Sequence, residues 1–174
     1  MITATPRPAL LSSHAPFAPA PSVRRARTGE AAALAELSRP FVRSGVLRER
    51  PLSLYATHAA DFLVIEAPGP ALDGCVGLRV HPAAPGESGG PAGVLYNFCV
   101  AGHRQGRGVG AGLLRAALAV ARARSLGALF TATTGGGGLF LRYGFTPTAA
   151  QLAPPSWAAS LDPRRDARIL SRVL

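Results

Sequence analysis

The chain has 174 residues, 48% of them hydrophobic, and a formal net charge of +10. That length suits one domain with a proper core, and no apolar run reaches the roughly 20 residues that cross a bilayer. All 19 basic residues are arginine, without a run of five and without interleaved aromatics. The charge therefore points to small anionic ligands rather than to nucleic acid or a membrane.

Residues 1–22 are rich in Pro, Ala and Ser and predict a disordered tail. They lack the charged start and unbroken apolar stretch of a signal peptide. Cys75 and Cys99 sit in apolar segments and read as buried free thiols, without metal-ligand spacing, which suits a cytoplasmic protein. Alternation over Val23–Arg27 predicts a first strand. Thr28 is placed to cap a helix, with Glu30 supporting its start, that runs to about Arg39. Pro40 is expected to interrupt it, a second short helix to cover Phe41–Ser44, and Gly45 to end that one. Leu52–Ala60 predicts a third helical piece. Phe62–Ala67 and Cys75–His81 predict a hairpin across the turn between them. Pro82–Gly93 reads as a flexible connection into a buried central strand, Val94–Val100.

Directly after that strand come His103, Arg104, Gln105 and Arg107, then Gly106, Gly108, Gly110 and Gly112, then an Ala/Leu-rich helix over Val109–Arg124. Leu113, Leu114, Ala117, Leu118 and Ala121 recur on one face of it at helical spacing. Strand, glycine loop and helix start make a phosphate site: the first turn offers free N–H groups and the positive end of a dipole. A P-loop needs a lysine, and the chain has none. Gly106-x-Gly108-x-x-Ala111 fits dinucleotide spacing, but no Asp or Glu stands between Glu87 and Asp162 to hold a ribose. Beyond the helix, Leu129–Thr134 predicts a strand, Gly135–Gly138 a glycine run, Leu139–Tyr143 a short helix, and Phe145–Thr148 and Arg168–Leu174 two more strands. The fold class is α/β: a mixed central sheet with a glycine loop and a crossover helix after the central strand.

Gln105-x-x-Gly108-x-Gly110 resembles the pyrophosphate loop of the GNAT acetyltransferases, and Tyr143-Gly144-Phe145 before a strand is similar to another feature of that family. The resemblance covers about 23–174 and implies a GNAT acyltransferase domain over that range, with acetyl-CoA as co-substrate and no metal. A narrower set is similar to the acetyltransferase domain of the N-acetylglutamate synthase family. It comprises Leu37-Ser38-Arg39-Pro40, Ser44–Arg50, Asp61-Phe62, Cys75, Leu129-Phe130 with Thr133-Thr134, Leu139-Phe140, Tyr143–Pro147 and Arg165–Leu174. This implies acetyl transfer to the amine of L-glutamate, a step of arginine biosynthesis, by direct attack in a ternary complex. Another small amine, or a non-catalytic acetyl-CoA-binding module, is the alternative.

The same resemblance implies the site residues. Phe98 and Val100 would pair with the pantetheine arm, and Gln105, Gly106, Arg107, Gly108, Val109, Gly110 and Ala111 would hold the pyrophosphate. A backbone N–H around Cys99 or Val100 would serve the oxyanion. Arg39 and Arg165 would hold the two carboxylates, as guanidinium forks do, with backbone contacts from Leu37 and Cys75. Three positions depart from the families. Val94 stands where many GNAT proteins have a glutamate, which leaves the base open among Tyr96, His81, His103 and water. Phe140 replaces a leaving-group tyrosine, as in the narrower family, and Ala167 replaces a serine. Oligomeric state is open, a homodimer being one option.

Overall fold

The computed structural model describes residues 22–83 and 90–174. The predicted tail, except Ser22, and part of the predicted flexible connection lie outside the described residues. Seven strands are described: β1 (Val23–Arg25), β2 (Phe62–Glu66), β3 (Leu72–His81), β4 (Ala92–Val100), β5 (Ala128–Thr133), β6 (Thr146–Pro147) and β7 (Arg168–Val173). The helices are α1 (Ala31–Arg43), α2 (Leu52–Thr57), α3 (Val109–Ala123), α4 (Gly138–Arg142) and α5 (Pro155–Ala158). The strands form one sheet in the order β1-β2-β3-β4-β5-β7-β6. Among the described strands, only β4 and β5 pair in parallel. A parallel pair needs a crossover, and α3 is that crossover.

The predicted apolar stripe of α3 is buried, together with Val109. It packs on Leu63, Ile65, Val76, Leu78, Leu95 and Leu129 from one face of the sheet. Truncating Leu113 or Leu114 to Ala would cost about 2–5 kcal/mol through lost transfer energy and a residual cavity. The other face carries α1 and α2, with Leu34, Tyr55, Phe62, Val64, Cys75 and Cys99 between them.

Three expectations are corrected. Pro40 lies inside α1 rather than ending it. Its missing donor falls in the last turn, and the helix continues through it to a cap at which Ser44 N–H donates to Pro40 O (3.1 Å), with Leu47 N–H closing the following turn on Phe41 O (3.0 Å). Phe41 packs against the α1–α2 cluster, which outweighs the local proline penalty. Thr28 caps nothing: Thr28–Glu30 is a 3-10 turn, and the Glu30 carboxylate accepts the Arg27 N–H at 2.6 Å. The predicted hairpin turn is shorter than expected, so β3 begins at Leu72 and Asp73 is buried inside a strand.

One irregularity shapes the site. Gly77 faces Tyr96 and Cys75 faces Cys99, so one β3 residue opposes two of β4. This is a bulge at Asn97, whose φ of 50° lies in the left-handed region that asparagine tolerates. The β4–β5 ladder stops at Leu95↔Thr131, leaving the rest of β4 without a neighbour on that side.

Candidate active site

The glycine loop joins the free end of β4 to α3. Gly106 and Gly108 have φ of 73° and 81°, and Gly108 is the N-cap of α3. The amides of Gly106, Gly108, Val109, Gly110 and Ala111 have no backbone acceptor among the described residues; the first helical bond is Gly112 N–H to Gly108 O, 2.9 Å. These closely spaced free donors at the positive end of a 15-residue helix fit a pyrophosphate. Gln105 Nε2 donates to Val100 O at 3.1 Å, tying the loop to β4. Arg107 is exposed and makes no ion pair among the described residues. Arg104, by contrast, lies 2.9 Å from the buried carboxylate of Asp73, which also faces His103 Nε2 at 3.3 Å. Asp73 thus pins the start of the loop, a role hidden in the sequence because the residue reads there as part of a turn.

The bulge is held from behind. Asn97 Nδ2 donates to Ser38 Oγ on α1 at 2.8 Å, Ser38 Oγ donates to Leu34 O at 2.7 Å, and Tyr55 OH on α2 donates to Asn97 Oδ1 at 3.4 Å. Ala101 N–H donates to Asp73 O, so two residues earlier the Cys99 N–H also faces β3. Phe98 and Val100, between and beside them, turn their peptide edges to the open side of β4. Phe140 meets Phe98 and Phe145 edge to face, at 5.5 and 5.4 Å, and offers no hydroxyl.

A cavity of about 660 Å³ opens on the opposite side of the bulge, against Val94–Asn97 of β4. Arg48, Arg50, Arg79 and Arg165 line it, against the carboxylates of Asp162 and Asp166; the former caps its own turn by accepting the Arg164 N–H. Tyr96 OH donates to Asp61 Oδ2 at 3.2 Å. Burial and the Asp61 charge push the Tyr96 phenol well up, so it stays protonated. Burial, then Arg79, pulls the His81 imidazole below its ordinary value, so it is neutral at pH 7. Its Nδ1 lies 3.2 Å from Ser156 Oγ.

The predicted substrate residues separate. Arg165 lines the cavity, with Nη2 donating to Gly45 O and Val46 O at 2.8 Å each. Leu37 lines a second hollow of about 430 Å³, between α1 and Gln105. Arg39 is exposed, paired with Glu36, and lines neither. Cys75 is fully buried; the Cys99 thiol and burial keep its own thiol protonated. His103, on the loop, faces Asp73 of β3. Among the described residues no cluster could hold a metal ion, and no helix is long and apolar enough to cross a membrane. The sequence gives no signal for Asp73; a polar residue inside an apolar strand is the one cue Asn97 offers, and Arg50 enters only through the Ser44–Arg50 resemblance, without a role.

Known proteins share this fold. No curated protein matches the sequence significantly. N-acetylglutamate synthase from Neisseria gonorrhoeae, solved with coenzyme A and N-acetyl-glutamate, is 27% identical with a TM-score of 0.77 over 88% of this chain and 35% of that one. The same synthase with coenzyme A and L-arginine gives 27% identity and a TM-score of 0.71 over 88% and 33%. The chain thus spans about a third of the length of those synthases. Rv2747 from Mycobacterium tuberculosis, solved with coenzyme A, shares the fold at 24% identity and a TM-score of 0.69, over 88% of this chain and 99% of that one. The profile of the acetyltransferase (GNAT) family matches residues 31–145, from the start of α1 through the bulge, the glycine loop and α3 to Phe145, and the chain belongs to that family.

Proposed function

We propose that the protein is an acetyl-CoA-dependent N-acetyltransferase whose acceptor is the amine of L-glutamate. The observation that carries this reading is the arginine-lined cavity beside the bulge, on the other side of β4's free stretch from the glycine loop. Acetyl-CoA supplies the acetyl thioester. The free amides of the glycine loop hold its pyrophosphate, and the open edge of Phe98 and Val100 takes the pantetheine arm as an added strand would. The acceptor nitrogen bonds to the acetyl carbon as the thioester C–S bond breaks; the amine loses a proton and the thiolate gains one.

The peptide edge that faces the open side of β4 belongs to Phe98 and Val100. Their N–H groups, rather than that of Cys99, stand ready for an oxygen gaining negative charge. Tyr96 is a poor base because its phenol is held protonated. His81, neutral and in the cavity, pairs with Ala92, five residues before Asn97 or about 16 Å along the strand. A proton from the bulge reaches it only through water. Arg165, at the cavity wall, is the carboxylate clamp retained from the sequence; Arg39 would have to leave Glu36 to join it.

The assay is thiol release from acetyl-CoA with each common amino acid. Release with glutamate above all others is the expected result, and equal release with neutral amino acids would remove the glutamate assignment. Val94 and Phe140 leave two usual proton-handling positions apolar, which favours one rival, an acyl-CoA-binding module without turnover. Coenzyme A binding with no release for any amine would establish that rival.

A further inference from the structure

Four arginines line the cavity, and three already have protein oxygens. Arg165 donates to Gly45 O and Val46 O, Arg48 to Ser160 O at 2.9 Å, and Arg79 Nη2 lies 3.5 Å from Asp61 Oδ2. Arg50 has no carbonyl or carboxylate partner among the described residues, and its Nε is buried without a hydrogen bond. Its guanidinium lies 5.2 Å from the centroid of the Tyr96 ring, and that of Arg79 lies 5.1 Å from the same centroid. Burial, with repulsion from Arg48 and Arg79, pulls the Arg50 guanidinium below its ordinary range; guanidinium still stays charged.

The ring is itself fixed. It lies across Gly77, where a Cβ would come within 2.5 Å of Tyr96 Cζ, and Phe62 meets it edge-on at 5.2 Å. Its hydroxyl is held by Asp61. Two guanidinia and one carboxylate therefore share one aromatic platform, and one positive charge is left uncompensated in a partly desolvated place. A planar anion is the partner that this arrangement lacks.

We propose that Arg50 and Arg79, set on Tyr96, form a subsite for the second carboxylate of a dicarboxylic acceptor. This rests on the cavity being the acceptor site and adds what selects the acceptor. Arg79 pairs with Val94, three residues before Asn97, or about 10 Å along β4.

The test is calorimetric titration of the full chain with glutarate and with butyrate, which has one carboxylate fewer. The protein as it stands is expected to bind glutarate about tenfold or more tightly than butyrate. Arg50→Met, which keeps the apolar stem, is expected to bring the two within about twofold while coenzyme A affinity stays unchanged. Equal binding of the two acids by the unaltered protein, or a preference that survives Arg50→Met, overturns the subsite. Should Arg50→Met also lose coenzyme A binding, the uncharged Arg50→Gln decides: a reduced preference supports the subsite and an unchanged one overturns it. A glutarate preference without acetylation of glutamate would remove the acceptor assignment and leave the subsite standing.

Discussion

Past the bulge, β4 leads into donors that lie close together in sequence and belong to the main chain: the amides of Gly106 and of residues 108–111 at the start of α3. Before the bulge, it borders a cavity whose charges are side chains from residues 48–50, 79–81 and 156–167. The first site depends on backbone conformation, which glycine spacing encodes locally. The second depends on several distant segments meeting, which only the fold encodes. The two should therefore fail differently when changed.

The largest separation is expected from Gly108→Val. A β-branched residue at φ 81° is strained by about 1–3 kcal/mol and turns the loop amides. Coenzyme A affinity should fall about a hundredfold, while the melting temperature falls by several degrees and the fold is kept; titration with coenzyme A checks this, and unchanged affinity would sink the loop assignment. Gly77→Ala tests the other side. The new methyl would overlap the Tyr96 ring, costing about 1–3 kcal/mol, and should raise the amine KM while the acetyl-CoA KM stays put. A parallel rise in both would mean that the cavity is not separate from the cofactor site.

Smaller still, Arg165→Ala should raise the glutamate KM about tenfold, because it removes a cavity charge and frees the Gly45–Val46 turn. Arg39→Ala should change it less than about twofold. The reverse ranking would restore Arg39 as the main clamp. The smallest effect belongs to a control remote from both sites. Arg24 hydrogen bonds hold the Glu30 carboxyl down at about 2, from an ordinary 4.5. Stability from that pair is complete above about pH 4.5 and lost as pH falls toward 2. Glu30→Gln should cost about 1 kcal/mol at pH 7, less at pH 3, with both KM values unchanged; a pH-independent difference in denaturation would refute the linkage.

The contrast also explains what could be read in advance. The sequence announces β4, the loop and α3 because hydrophobic period and glycine spacing are local signals. It does not announce that β7 lies between β5 and β6, since strand order is a long-range outcome. Pro40 misleads because tertiary packing of Phe41 overrides a local rule. Of the four consecutive glycines, the structure explains Gly137, which caps α4 at φ 64° and where a Cβ would lie 3.0 Å from Leu170. Arg50 belongs to the Ser44–Arg50 resemblance but has no role there until Gly77 and Tyr96 give it a platform. Asn97 acquires meaning only once Ser38, 59 residues away, is beside it.

The bonds from Arg165 to Gly45 and Val46, and from Arg48 to Ser160, join residues 112 to 120 positions apart. Contacts so distant in sequence form late, because the loop they close is costly until the rest of the chain is in place. During synthesis the ribosome delivers the glycine loop and α3 well before residues 160–165 emerge. A nascent chain would thus form the glycine loop and α3 before residues 160–165 could close the cavity wall against Gly45, Val46 and Arg48.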